Sequence, residues 1–437
     1  MNISSFLSSV WVAVSLLHTA GTVAGAEPTG SVIFFHPDGT SLNHWNAARL
    51  RWAGPDNDLE WDKLPGMAVY RSHLRDCVTA SSHGGGTVHA YGVKVAFDSY
   101  GMDGKRPATS LSGKPYSIMK EAQATGLAVG IVNTGDLNEP GTGVFLASST
   151  SRKASEQIVA QLLESGADII MGGGEQWMLP ANITGRHGPG ARSDDRNLIA
   201  EAALAGYTIV YNRDELARVP VTTRKLLGVF ARQHTFHDRP EEKLADQKLP
   251  LYLPDAPSVA EMMSAALKIF AAGNRRFLLV VEEEGTDNFS NINNAAGTLE
   301  ALRRADEAVG IGHRFVKDHP DTLLLMAADS DASGLQAIGY GIKPDANLPA
   351  TLIGGAPLDG RDGTGSLPFE TAPDAAGKKH PFAIAWIGPD DTYGAVLVRA
   401  AGLNADRVKG TFDNTDVYRL MYRTLFGRDL PSPVRND

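Results

Sequence analysis

A chain of 437 residues is long enough for a large α/β core. With 43% hydrophobic and 21% charged residues it has the balance of a soluble globular protein, which excludes a disordered or fibrous chain. A formal net charge of -9, with no long run of Lys or Arg, lacks the basic tract that tracks a phosphate backbone, so nucleic acid is not an expected partner.

Residues 1–26 carry no Lys, Arg, Asp or Glu, and an apolar stretch through Val10, Val12, Val14, Leu16 and Leu17 ends in Ala24-Gly25-Ala26. That is the pattern of a cleavable signal peptide; Ser, His and Gly interrupt it short of the ~20 apolar residues that a membrane span needs. Cleavage after Ala26 and a periplasmic or secreted product are expected, with no membrane partner. Residues 27–437 read as a single catalytic domain. The lone Cys77 cannot form an internal disulfide and reads as a small buried residue.

From there the chain repeats a short β-rich run, a polar turn and a helix-period segment, which is the α/β signature. Ser31 to Phe35 reads as a buried strand, followed by His36-Pro37-Asp38-Gly39 and a helix capped by Thr40 or Ser41. Leu127 to Val132 is the next good strand. Ser155 to Glu164 has helical spacing through Ile158, Leu162 and Leu163, and feeds the strand Asp168 to Met171. Ser258 with Glu261 makes a capping box for a helix that stops near Gly273, ahead of the strand Phe277 to Val281. Leu299, Leu302, Ala305, Val309 and Phe315 form another helical stripe, and Leu323 to Met326 a strand leading to Asp329. Ligands of open α/β sheets bind beyond the carboxyl ends of the strands, so Asp38, Glu282 and Asp329 should converge there. Segments 180–195 and 345–379, rich in Gly, Pro and Asp, read as loop insertions.

Four stretches carry chemistry together: Asp38-Gly39; the hydroxyls and glycines of Ser81-Ser82-His83-Gly84-Gly85-Gly86-Thr87; Glu282-Glu283-Glu284-Gly285-Thr286-Asp287; and Asp329-Ser330-Asp331. Glycines bring backbone N–H groups close to an anion, and clustered strand-end acids are costly unless cations neutralise them.

In this order the four stretches resemble the alkaline phosphatase family, from Val32 to about Leu425. The resemblance implies a central, mostly parallel sheet flanked by helices on both faces, and hydrolysis of phosphate monoesters through a phosphoserine. It implies that Asp38 bridges two metals, that Glu282 and Asp287 are metal ligands, and that Arg152 clamps the substrate phosphate. Counting back from Gly92-Val93-Lys94 and Thr87 favours Ser82 as the nucleophile, with Ser81 the alternative if the glycine run holds an insertion. Glu139 and Thr142 match the family's magnesium-binding stretch loosely. A homodimer is implied by the resemblance alone.

The sequence departs from that pattern at three imidazoles. Asn291 and Ser330 stand where the family has His, and the place of the third falls on Gly377; His380 and the loop 358–363 are candidates to replace it. Asp38, Glu139, Thr142, Glu282, Asp287, Asn291, Asp329 and Ser330 offer only oxygen, which favours Mg²⁺, Ca²⁺ or Mn²⁺ over Zn²⁺. His83, beside the nucleophile, and His36 are candidate proton carriers or phosphate donors. His234 and His237 have metal-like spacing but no accompanying strand-end acid, and read as structural or substrate-facing. A small phosphorylated substrate is the expected partner. Phosphodiester or sulfate-ester hydrolysis, and a non-catalytic metal- or phosphate-binding relative, are the rival readings.

Overall fold

The computed structural model describes residues 28–434, so the expected signal peptide, residues 1–26, lies outside the described residues. A ten-stranded sheet is made of β1 (Ser31–Pro37), β2 (Gly66–Arg71), β3 (Ala128–Asp136), β4 (Ile169–Gly173), β5 (Thr208–Val210), β6 (Leu226–Val229), β7 (Phe277–Glu283), β8 (Thr322–Met326), β9 (Leu397–Gly402) and β10 (Thr411–Asp413). Their spatial order is β10-β2-β9-β8-β1-β7-β3-β4-β6-β5. Only β9 runs against its neighbours; every other pair is parallel. The flanking helices include α1 (Leu42–Ala48), α2 (Ser82–Tyr91), α3 (Ser155–Glu164), α4 (Val259–Ala272), α5 (Gly285–Asn291), α6 (Ala295–Asp318) and α7 (Asn414–Phe426).

The central strands are unbroken apolar runs because both faces of the sheet are covered. Val32 and Phe34 of β1, with Leu278 and Val280 of β7, pack into one cluster with α2, α3 and α7. Ile33, Phe35, Leu279 and Val281 pack into the opposite cluster with α1, α4 and α6. The Ser258–Glu261 capping box is formed: the Glu261 N–H donates to Ser258 Oγ, and the Ser258 N–H donates to the Glu261 carboxylate. Ser41, not Thr40, caps α1.

Segment 345–379 contributes strands to a small antiparallel sheet with Gln336–Ile338 and Pro381–Ala385. Segment 180–195 is pinned by Arg192, whose guanidinium donates to the carbonyls of Glu156 and Trp177 at 2.9 Å. Cys77 is half-buried in the loop before α2, not in the core, because exposed Asp76 and Val78 flank it and leave no apolar wall to enclose it. Among the described residues no helix is long and apolar enough to cross a membrane.

Register aligns the carboxyl ends of the strands. His36 of β1 and Asn133 of β3 both lie opposite Glu282 of β7, and Phe35 lies opposite Met326 of β8. The helix α2 is held over this edge by α7. The Tyr418 ring lies 2.5 Å from where a side-chain carbon would start at Gly92, which takes a left-handed φ of 73°. Lys94 Nζ reaches Asp413 at 3.0 Å and Asn414 at 2.6 Å.

Candidate functional site

Asp38, Glu282 and Asp329 meet at the carboxyl edge of the sheet, fully buried. Carboxylate oxygens of Asp38, Glu284 and Asp287 lie within 4.8 Å of one another, as do ligand atoms of His36, Asp38 and Glu282. Local bonds fix these places. Thr286 Oγ1 donates to the Asp38 carbonyl at 2.7 Å and to that of Glu283 at 2.8 Å, tying the β7–α5 turn to the end of β1. The Asn291 amide donates to both Asp287 oxygens at 3.0 Å and to Asp391 at 3.2 Å, so it presents N–H rather than oxygen to the acids. Ser330 Oγ donates to Asp329 at 3.3 Å, and Thr142 Oγ1 accepts from Asn133, which also bonds Glu282. Glu139 pairs with Arg152 at 3.1 Å, and its charge helps raise the Glu284 carboxyl.

So many buried acids cannot all ionise without a counter-charge. Burial first, then the charges of Asp329, Asp287, Glu284 and Glu282, raise the Asp38 carboxyl well above its usual range. Burial and neighbouring acids raise Glu284 and Asp287 in the same way, and push Asp391 up to about 6. Asp329 goes the other way: burial acts upward on it, but contact with His36 outweighs that and lowers it. Burial acts downward on His36, yet Asp329 and Glu282 raise it to about 9. Arg152 faces the same acids, and Glu139, Glu284, Asp38 and Asp287 raise its pKa against the effect of burial.

The glycine-rich start of α2 sits against this cluster. A side-chain carbon on Gly85 would lie 2.4 Å from Cβ of Asp329, so only glycine lets α2 come this close. Ser81 is the N-cap of α2; its Oγ accepts from the Gly84 N–H at 3.1 Å and donates to the Phe97 carbonyl at 2.8 Å. Ser82, the first helical residue, has a hydroxyl engaged in no hydrogen bond among the described residues. His83 is buried, with Nε2 3.4 Å from Asp98 and Nδ1 unpartnered; burial and the Arg152 charge lower its pKa to about 4. Because the Ser81 hydroxyl works as a cap, Ser81→Ala is expected to cost about 1 kcal/mol of stability and to retain most activity. Urea unfolding beside an esterase assay checks this, and an inactive, normally stable variant would refute it.

A family model described as alkaline phosphatase matches residues 30–362. The chain belongs to the alkaline phosphatase family. Membership places it among metal-dependent hydrolases of phosphate esters. The alkaline phosphatase of Gadus morhua is 26% identical over 336 residues, 68% of this chain and 68% of its own length. Alkaline phosphatase H of Pseudomonas aeruginosa is 26% identical over 391 residues, 82% of this chain and 75% of its own. The tissue-nonspecific isozyme of Rattus norvegicus is matched over 62% of its length. In fold, the chain is similar to the alkaline phosphatase of Thermus thermophilus, with a TM-score of 0.70 and 24% identity over 95% of this chain and 96% of that one.

The family's divalent cations fit the residues present. Asp38 Oδ2, Glu282 Oε1, Glu284 Oε2 and Asp329 Oδ2 are buried with no hydrogen-bond partner, the condition of oxygens that await a cation. An imidazole, His36, lies among the oxygen donors that the sequence suggested. Both His36 nitrogens lack hydrogen-bond partners, and they lie 3.3 Å from Glu282, 3.6 Å from Asp38 and 3.7 Å from Asp329. The period of two along β1 puts His36 on the Phe34 side of the sheet, the signal that would have found it.

Neither candidate for the third histidine enters the cluster. His380 is half-exposed and pairs with Asp374 at 2.9 Å, and Asp359 of the loop 358–363 holds Thr364 and Trp386. Asp391, just past Gly388-Pro389, brings a carboxylate to Asp287 and Asn291, and sequence reasoning missed it together with Glu284. His234 Nδ1 accepts from the Asp136 backbone N–H at 3.1 Å, while the Asp136 carboxylate turns to Trp177 at 2.8 Å.

Proposed function

We propose that the chain hydrolyses phosphate monoesters, with Ser82 as nucleophile and Arg152 as the clamp on the phosphoryl oxygens. The observation that supports this reading is the close approach of Gly85, three residues after Ser82, to Asp329 of a cluster whose buried carboxylate oxygens lack partners. Ser82 Oγ forms the new bond to phosphorus as the ester oxygen leaves and takes up a proton; water then breaks the phosphoserine and restores the hydroxyl. The planar fork of Arg152 suits two non-bridging oxygens, and Glu139 orients it at 3.1 Å. His83 is neutral above about pH 4, so it can accept a proton but adds no positive charge to the phosphate site. Asp38, Glu282, Glu284, Asp287, Asp329 and Asp391 would hold the divalent ions, which screen phosphate charge and lower a hydroxyl pKa when bound. One imidazole among so many carboxylates supports Mg²⁺, Mn²⁺ or Ca²⁺ over Zn²⁺. Export rests on the signal-peptide pattern of residues 1–26.

With Mg²⁺ or Mn²⁺ supplied, 4-nitrophenyl phosphate is expected to turn over at least ~100-fold faster than bis(4-nitrophenyl) phosphate or 4-nitrophenyl sulfate, because a clamp and cations built for a dianion gain most from the dianionic ester. Faster turnover of the diester or the sulfate would replace this reading with its rival.

A further inference from the structure

Beside the catalytic edge lies a cavity of about 520 Å³ that the mechanism above does not use, and Arg232, His234, His237, Asp238 and Arg239 line it. Hydrogen bonds connect its walls to the site. Thr235 is bonded through both its N–H and its hydroxyl to the Thr134 carbonyl near the end of β3, at 2.9 and 2.7 Å. The Asp136 N–H donates to His234 Nδ1, the Glu139 N–H donates to the Asp136 carbonyl at 2.8 Å, and Glu139 holds Arg152. On the other side the Asn288 amide faces Asp238, one residue from Asp287. Thus α2 meets the carboxylate cluster at Asp329, whereas the cavity is linked to it through Asp238 and Asn288, the neighbour of Asp287.

Arg232, Arg239 and His234 present pre-aimed donors to this cavity. Because His234 Nδ1 accepts from a backbone N–H, its ring proton sits on Nε2, and the ring is held by stacking on Phe236 at 5.0 Å. His237 Nδ1 is 2.7 Å from the Pro250 carbonyl, which fixes that ring as well. Arg232 is tethered through Nε to the Pro189 carbonyl at 3.1 Å, and Arg239 through one terminal nitrogen to Gln247 at 2.9 Å. Each tether uses one N–H of a guanidinium that carries five. Two permanent positive charges and three imidazoles, His187 among them, face one carboxyl, Asp238, in a chain whose net charge is -9. A local excess of cations in an acidic protein is an anion site in search of a ligand.

We propose that this cavity receives a second anionic group on the substrate, so that the favoured esters carry a carboxylate or a further phosphate on the leaving group. The inference rests on the monoesterase reading, since the ester phosphate must lie at Ser82 while the second anion lies between Arg232 and Arg239.

Steady-state rates on three esters test it: phenyl phosphate, 4-carboxyphenyl phosphate, and hexane-1,6-diol bisphosphate, which reaches farther. At least one of the two anion-bearing esters is expected to exceed phenyl phosphate in kcat/KM by about tenfold or more, the worth of a charge-assisted contact. The advantage should appear in KM and shrink with added salt. Which ester gains it tells a carboxylate from a phosphate subsite. In Arg232→Gln/Arg239→Gln the advantage should vanish while phenyl phosphate turnover stays unchanged. Equal rates on all three esters, or a preference that survives the double variant, would overturn the subsite alone. No turnover of any ester would overturn the monoesterase reading and the subsite with it.

Discussion

Ser82→Ala is expected to lower 4-nitrophenyl phosphate turnover by roughly 10⁴-fold or more, the scale on which loss of a nucleophile acts in hydrolases that form covalent intermediates. No neighbour can take its place. The Ser81 hydroxyl is spent on Gly84 and Phe97, and Thr87 Oγ1 donates to the His83 and Ser99 carbonyls at 2.7 and 3.0 Å. Since Ser82 contributes no hydrogen bond to the fold, the variant should melt with the parent protein and bind the same amount of metal. Retention of a tenth or more of the activity would mean that water, or another hydroxyl, attacks phosphorus directly.

Chelating the divalent cations should destabilise the protein, and increasingly so as the pH rises. Asp38, Glu284, Asp287 and Asp391 have folded-state pKa values raised by burial and by one another. A carboxyl raised in the folded state contributes stability that is complete below its unfolded value, ~4, and is lost as the pH climbs through the folded value, about 6 for Asp391. His36 acts in the same sense: its contribution is complete below ~6.5 and is lost through about 9. Asp329, lowered in the folded state, gives up its contribution only in acid, outside this window. Bound cations replace those protons, and a ligand at a hundred times its Kd stabilises by about 2.7 kcal/mol. Calorimetry from pH 5.5 to 9.5 should therefore show the melting temperature of chelator-treated protein falling with pH, and that of Mg²⁺- or Mn²⁺-loaded protein falling less. Chelated protein as stable at pH 9 as at pH 6, and unmoved by metal, would show that no cation belongs among these acids.

The strands of the central sheet were legible because burial on both faces leaves an uninterrupted apolar run, and Asp38, Glu282 and Asp329 followed from the rule that such strands present ligands at their carboxyl ends. The helices announced themselves through caps, as at Ser258. What sequence could not resolve was direction. Glu283 and Glu284 are adjacent and alike, yet Glu283 turns to Thr134 and Tyr252 while Glu284 turns to the cluster. Asp391 arrives from a loop with no local period, so only the folded chain shows that it, not His380, lies beside Asp287. Ser81 and Ser82, adjacent and alike, differ in which one caps α2, and capping is a matter of backbone geometry. His36 was weighed as an isolated imidazole rather than as the third inward residue of β1 after Val32 and Phe34, so its place beside Asp38 and Glu282 was not foreseen.

The grip of α7 on α2 also bears on when, during synthesis, the site comes into being. Lys94 and Asn414 are 320 positions apart, and the ring that closes over Gly92 belongs to Tyr418. A nascent chain can carry Ser82, Arg152 and all the clustered acids yet lack the wedge that seats the nucleophile helix. Contacts this distant in sequence form late, after the loop between them has closed. Seating α2 against the acid cluster therefore waits on residues that follow Lys94 by 320 positions.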